Sequence, residues 1–216
     1  MLSEGAIRFA TQFDVSRETL ERLSRFSDLL VRWNSRINLI SPSSVPHLWT
    51  RHLIDCAQIW TLLPRSSGRL MDFGTGAGLP GLVIAILDTE GALDIHLVES
   101  DSRKCAFLAT VQRELSLDVT IHRQRIETIC LPPADVITAR ALAPLADLLA
   151  YTWQHRAPNG TAYFPKGRSF QKELDEAHLL WNFEYTLHRS ITDPASAVVE
   201  IGAIDGPVQT DNSCPR

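Results

Sequence analysis

The strongest constraint on how this chain can fold is a change of rhythm at Arg69. From there to the C-terminal region, short apolar or alternating runs at 69–74, 94–99, 119–123, 135–139 and 161–165 recur between stretches of helical spacing at 79–87, 102–115, 145–155 and 169–182. Strand alternating with helix predicts βαβ units, hence a parallel sheet covered by helices on both faces. Two more strand candidates, 183–189 and 197–203, follow with no helix between them, so the sheet is predicted to end in an antiparallel pair. The expectation is an α/β domain over 66–204 with a seven-stranded, mostly parallel sheet.

Residues 1–65 read differently. Leu20, Leu23, Phe26, Leu30, Trp33 and Ile37 step by three or four, which puts them on one helical stripe with Ser16 as its N-cap. A second helix is predicted where Ser43 and Ser44 precede Pro46 and Leu48, Trp49, His52, Leu53, Cys56 and Trp60 continue the spacing, ended by Pro64 and the Ser66-Ser67-Gly68 cluster. This predicts a helical cap over 1–65 that packs onto the α/β domain, with the tryptophans at 33, 49 and 60 as core rather than as stacking platforms. Residues 205–216 are polar with Gly and Pro, which predicts a frayed tail.

The formal charge of −4 argues against a protein that coats nucleic acid indiscriminately, because that affinity comes from basic residues displacing counterions. A local basic face is still open to it, since 18 of the 21 basic residues are arginine, which forks onto phosphates. No apolar run approaches the roughly 18 residues that cross a bilayer, and Met1 to Ala10 carries no basic-then-apolar leader, so the expectation is a cytoplasmic protein away from the membrane. Cys56, Cys105, Cys130 and Cys214 are too far apart for a paired-Cys metal motif. They are expected as reduced thiols, three of them packed in the fold, and no metal is expected.

Chemistry concentrates at the join of the first strand and its helix, Leu70-Met71-Asp72-Phe73-Gly74-Thr75-Gly76-Ala77-Gly78-Leu79-Pro80-Gly81. Glycines let the backbone turn sharply and let a ligand approach the main chain, while the next helix offers free N–H groups. The spacing admits two ligands. Gly76, Gly78 and Gly81 satisfy the dinucleotide pattern, and Asp72, Gly74, Gly76 and Gly78 satisfy the acidic-x-Gly-x-Gly-x-Gly pattern of S-adenosylmethionine enzymes. Asp72 on the strand suits a cofactor that carries an ammonium group. Glu99, at the end of the second strand, suits two ribose hydroxyls, a need that both cofactors share.

With these residues in view, the chain resembles the bacterial ribosomal small-subunit methyltransferase G family (RsmG, or GidB). The resemblance rests on the run from Asp72 to Gly81, on Trp33-Asn34 with Asn38-Leu39, and on Arg51-His52 with Asp55. It continues through Arg103-Lys104 with Phe107-Leu108, Arg125 with Glu127, Thr138-Ala139-Arg140-Ala141 and Lys166-Gly167, in order from about Leu30 to Ile204. It implies a class I methyltransferase that uses S-adenosylmethionine to methylate N7 of one guanosine in 16S rRNA. Carried over position by position, it implies cofactor contacts at Gly74, Leu79, Ile126, Glu127 and Arg140. The chain departs from the family at Ala77, where many members have proline, at Ser41-Pro42, and beyond Asp205.

Methyl transfer from a sulfonium is an in-line displacement, and guanine N7 already presents its lone pair in the ring plane, so no general base is required. The sequence accordingly offers no acid/base pair near the glycine run and no Asn/Asp-Pro-Pro-aromatic motif; Pro132-Pro133 precedes the fourth strand. Arg140 and Lys166 follow the fourth and fifth strands and are expected on the edge of the sheet where ligands bind, as positioning residues together with His52. Arg51, Arg123, Arg125, Lys166 and Arg168 are the RNA-contact candidates, although Arg51 and Asp55, four apart, would also make an ordinary exposed ion pair. The expected partner is 16S rRNA or the small ribosomal subunit, with the protein acting as a monomer. Two rival readings are a methyltransferase for a small molecule or protein, and a nicotinamide-dinucleotide-binding oxidoreductase or redox sensor built on Gly76, Gly78 and Gly81.

Overall fold

The computed structural model describes residues 3–64 and 68–208. The end of the predicted helix at Ser66-Ser67, the boundary placed at 65/66, Cys214 and the tail from 209 lie outside the described residues.

The strands are β1 (Gly68–Phe73), β2 (Leu93–Val98), β3 (Val119–His122), β4 (Ala134–Ala139), β5 (Arg156–Lys166), β6 (Trp181–Arg189) and β7 (Ala197–Pro207). They form one sheet in the order β3-β2-β1-β4-β5-β7-β6. The first five are parallel, and β7 runs antiparallel to both β5 and β6. The order reverses between β1 and β4, so the strand ends there open a crevice at the carboxyl edge of the sheet. β1 is buried along its inner four residues because both faces are covered: Leu70 joins one apolar cluster, while Met71 and Phe73 join the other.

Between the strands lie α4 (Gly81–Leu87), α5 (Ser102–Leu115), α6 (Leu145–His155) and α7 (Phe170–His178). Asp101 starts α5 by accepting from the Arg103 and Lys104 amides. The cap consists of α1 (Glu4–Phe13), α2 (Arg17–Asn34), a 3-10 turn (Pro42–His47), a π-helical turn (Trp49–Ile54) and α3 (Asp55–Leu62). Ser16 caps α2 through the Thr19 amide at 3.1 Å, and the stripe Leu23, Phe26 and Leu30 packs with Phe107 of α5 in the larger cluster. Arg22 and Arg25 donate to the Leu115 and Glu114 carbonyls at the C-terminal end of α5, where a helix favours cations. Trp33 and Trp49 pack against Phe107 and Phe9 with ring centroids 5.8 Å apart, as core aromatics.

Several expectations change. The second predicted helix is three segments of different pitch, and α1 had no counterpart in the reading of the cap. β5 begins five residues before the expected 161, because a bulge between Ala134 and Val136 lets Arg156 pair with Ala134. β7 runs through Asp205 to Pro207, paired with Trp181, so the first residues of the expected tail belong to the sheet. Cys56 and Cys105 are buried but Cys130 is exposed, so it is not one of three packed thiols.

Candidate active site

The site grows from the end of β1. After Phe73 the chain turns through Gly74, Gly76 and Gly78, all at positive φ, and the Thr75 amide bonds to the Val98 carbonyl of β2 at 3.1 Å. Asp72 lies beneath this turn and is completely buried. It accepts from the Thr138 hydroxyl at 2.8 Å, from the Gly81 amide at 3.0 Å and from the Thr75 hydroxyl. Burial raises its pKa to about 6, against the three hydrogen bonds that hold it down. With both oxygens committed inside the protein, Asp72 can act on a ligand only through the loop that it shapes, not by the direct ammonium contact expected from the sequence.

Two glycines show why the loop has its spacing. A Cβ on Gly81 would stand 2.8 Å from the Asp72 carboxylate and collide with Leu97, so only glycine lets α4 start this close to β1. A Cβ on Gly76 would meet nothing nearer than the Gly74 carbonyl at 3.7 Å; it would project into open space, the room a ligand needs to lie against the main chain. Glu99 completes the turn, one oxygen accepting from the Gly76 amide at 3.0 Å and the other from the Asp101 amide at 2.8 Å.

Facing the loop is a cleft of about 1090 Å³. Gly74, Gly76 and Leu79 line it from the loop after β1, Arg51 and His52 from the cap, Arg140 from the segment that follows β4, and Lys166 and Arg168 from the end of β5 and the residues just past it. Four segments that are distant in sequence therefore meet at one edge. Ser190, Thr192 and Asp193, between β6 and β7, also line it, and sequence reasoning missed all three because nothing local marks them. Asp72, Gly78, Glu99, Ile126, Glu127, Arg123 and Arg125 do not line this cleft. Ile126 is buried in the second core cluster, and Glu127 is exposed and accepts from the Tyr151 hydroxyl at 3.0 Å. Arg123 and Arg125 are exposed on the segment after β3.

Arg140 donates from Nε to Asp55 at 3.0 Å and from Nη2 to the Arg51 carbonyl at 2.9 Å. Asp55 thus pairs with Arg140, 85 residues away, and not in the expected ion pair with Arg51. Lys166 is also placed differently from the solvated phosphate contact that was expected. Its side chain is 9% exposed and its ammonium donates to the Ala143 carbonyl at 2.9 Å and to Glu173 at 2.8 Å, which makes it an internal tie between β5, the approach to α6 and α7. Arg168 is 80% exposed, with a long contact of 3.4 Å to Asp193.

His52 is buried. Ser44 donates its hydroxyl to the Ser41 carbonyl at 2.7 Å, so it can only accept from His52 Nε2, 2.8 Å away, and Nδ1 carries the bare lone pair. Burial first, then Arg140 and Arg51, lower its pKa to about 4, and the ring is neutral near pH 7.

The model of the GidB family, rRNA small subunit methyltransferase G, matches residues 19–197. The chain belongs to this family. The ribosomal RNA small subunit methyltransferase G of Paramagnetospirillum magneticum is 48% identical over 91% of this GidB-family chain and 95% of its own length. Among solved structures, an S-adenosylmethionine-dependent methyltransferase from Aquifex aeolicus is similar at TM-score 0.55 and 12% identity, covering 82% of this chain and 97% of that one. The ribosomal protein L11 methylase of Lactobacillus delbrueckii is similar at TM-score 0.54 and 15% identity, covering 73% of this chain and 78% of that one. The family fold is therefore that of the class I S-adenosylmethionine-dependent methyltransferases, the architecture expected from the sequence. At such identities the fold alone is shared, and the acceptor must be argued from the site.

Proposed function

We propose that the chain transfers a methyl group from S-adenosylmethionine to N7 of a guanosine in the 16S rRNA of the small ribosomal subunit, acting as a cytoplasmic monomer. The observation that supports this reading best is the cleft of about 1090 Å³ that joins the glycine loop to the arginine-bearing face of the cap, in a chain of the GidB family. It has room for a nucleoside cofactor and an incoming base side by side.

The cofactor supplies a methyl group on a sulfonium, ready for in-line displacement. The open space over Gly76 is the cradle that a Cβ would fill, and it fits such a ligand. Gly74, Gly76 and Leu79 give it backbone to lie on, and Gly78 keeps that backbone turning. Glu99 shapes the ribose end through the Gly76 amide that it holds, Ile126 and Glu127 on the turn after β3 stand outside the cleft and belong to the cofactor site by the family resemblance, and Arg140 offers its free Nη1 side to the cofactor carboxylate.

Guanine N7 needs no proton removed, and the groups beside the cleft suit that need: the bare Nδ1 of His52 is buried and, with a pKa lowered to about 4, only weakly basic, and Asp72 is sealed beneath the loop. The work left to the protein is to hold donor and acceptor in line and to keep water out. Arg51, Arg123, Arg125 and Arg168 are the phosphate contacts, and the positioning part of Lys166 is indirect, through the α6 and α7 ends that it ties.

The test is to map N7-methylguanosine along small-subunit rRNA from cells with and without the gene, then to restore the modification with the purified protein and S-adenosylmethionine. One methylated guanosine should vanish and return. An unchanged methylation map, with methyl label entering another cell fraction, would transfer the assignment to a different acceptor.

A further inference from the structure

The Asp55 carboxylate, at the wall of the cleft, accepts three side-chain hydrogen bonds from three separate segments. Oδ2 accepts from Arg140 Nε at 3.0 Å, while Oδ1 accepts from Gln58 Nε2 at 2.8 Å and from the Thr192 hydroxyl at 3.0 Å. Gln58 in turn accepts from the Ile191 amide at 3.1 Å. One side chain at the start of α3 therefore joins the cap, the segment after β4 and the segment between β6 and β7. The side chains of Asp55 and Arg140 are 17% and 19% exposed, so the pair is partly desolvated and screened less than a surface pair.

We propose that Asp55 is a positioning residue for methyl transfer: it holds the Arg140 guanidinium in the one orientation that presents Nη1 to the cofactor, and so makes cofactor affinity depend on the cap and the 190–196 segment. This rests on the reading of Arg140 as a cofactor contact. An unrestrained arginine loses rotamer freedom when it grips a carboxylate, whereas one already fixed by Asp55 and the Arg51 carbonyl lost that freedom on folding. The charge of Asp55 is specifically required. An asparagine either turns an N–H toward the Arg140 donor or, flipped, toward the Gln58 and Thr192 donors, so one side of the junction always breaks.

The experiment is calorimetric titration of the full chain with S-adenosylhomocysteine, for the wild type, Asp55→Asn, Arg140→Ala and the double variant. Asp55→Asn should weaken binding at least about fivefold, and the double variant should bind no more weakly than Arg140→Ala alone, since the two residues act as one unit. A purely structural Asp55 would instead lower affinity equally in both backgrounds, and that additivity, or wild-type affinity in Asp55→Asn, overturns the inference. If Arg140→Ala binds like the wild type, Arg140 leaves the cofactor site and the inference falls with it, an outcome distinct from additivity. Should Asp55→Asn fail to fold, Thr192→Val decides: it removes one bond to Asp55 and should weaken binding about two- to threefold, and unchanged affinity overturns the proposal.

Discussion

Glycines that look alike in the sequence do different jobs in the loop, and mutation should separate them. Gly76→Ala introduces a methyl at a φ of 55° into open space, so it should cost only about 1 kcal/mol of stability while sharply weakening S-adenosylhomocysteine binding. Gly81→Ala drives a methyl into Leu97 and the Asp72 carboxylate and should destabilise by about 2 kcal/mol or more. Urea unfolding and calorimetry on both variants check this, and a Gly76→Ala protein that unfolds as readily as Gly81→Ala would contradict the picture. His52 gives a pH signature. Its folded pKa of about 4 lies below its ordinary 6.5, so the unfolded chain takes up the proton first as pH falls. The His52 contribution is complete above pH 6.5 and is lost progressively toward pH 4, a loss of about 3 kcal/mol at most. Asp72 acts with the opposite sign: its raised pKa of about 6 gives a contribution complete below 3.8 and lost as pH rises through 6. Comparison with His52→Leu isolates the histidine; between pH 7.5 and 4.5 the variant should lose less stability than the wild type, and equal losses would refute the buried neutral imidazole.

At the scale of elements, the last residue of β5 and the segment that follows it hold two cations with different employment. Lys166→Met removes the partner of Glu173, which also accepts from the Leu145 amide at the start of α6, so it should cost about 3 kcal/mol of stability. Arg168→Ala should leave stability intact and lower the slope of log affinity for rRNA against log salt by about 1. Thermal melts and binding at several salt concentrations test the pair, and the reversed pattern would make Lys166 the phosphate contact after all. Element positions were legible where periodicity and a cap agree: α5 spans the predicted 102–115 because Asp101 starts it and Ser116, in a left-handed conformation, ends it. Between 42 and 62 the apolar spacing read as one helix, but the chain uses three pitches there. Pro46 lacks an amide hydrogen for an interior helical bond, and a π turn then carries His52 and the Arg51 carbonyl, the groups that meet Ser44 and Arg140.

At the scale of the whole molecule, the cap and one face of the sheet share a single apolar cluster that runs from Phe9 and Leu30 through Phe107 to Val136 and Val198. A ligand that bridges the cleft should therefore stabilise the chain as one unit. S-adenosylhomocysteine at about 100 times its dissociation constant should add roughly 2.7 kcal/mol and raise the melting midpoint, whereas NADH should not. A midpoint that moves only with NADH would return the glycine loop to the dinucleotide reading. The order of strands and helices, the glycine loop and its acid one strand over were all readable from the residues, because periodicity and turn chemistry act over a few neighbours. The partners of the charges were not. Arg140 reaches Asp55 across 85 residues, Thr192 reaches it across 137, and Lys166 turns inward to Glu173 instead of outward to solvent. A carboxylate can accept from many cations and neutral donors, so its choice of partner depends on which distant segments packing delivers to it, and only the folded chain contains that information.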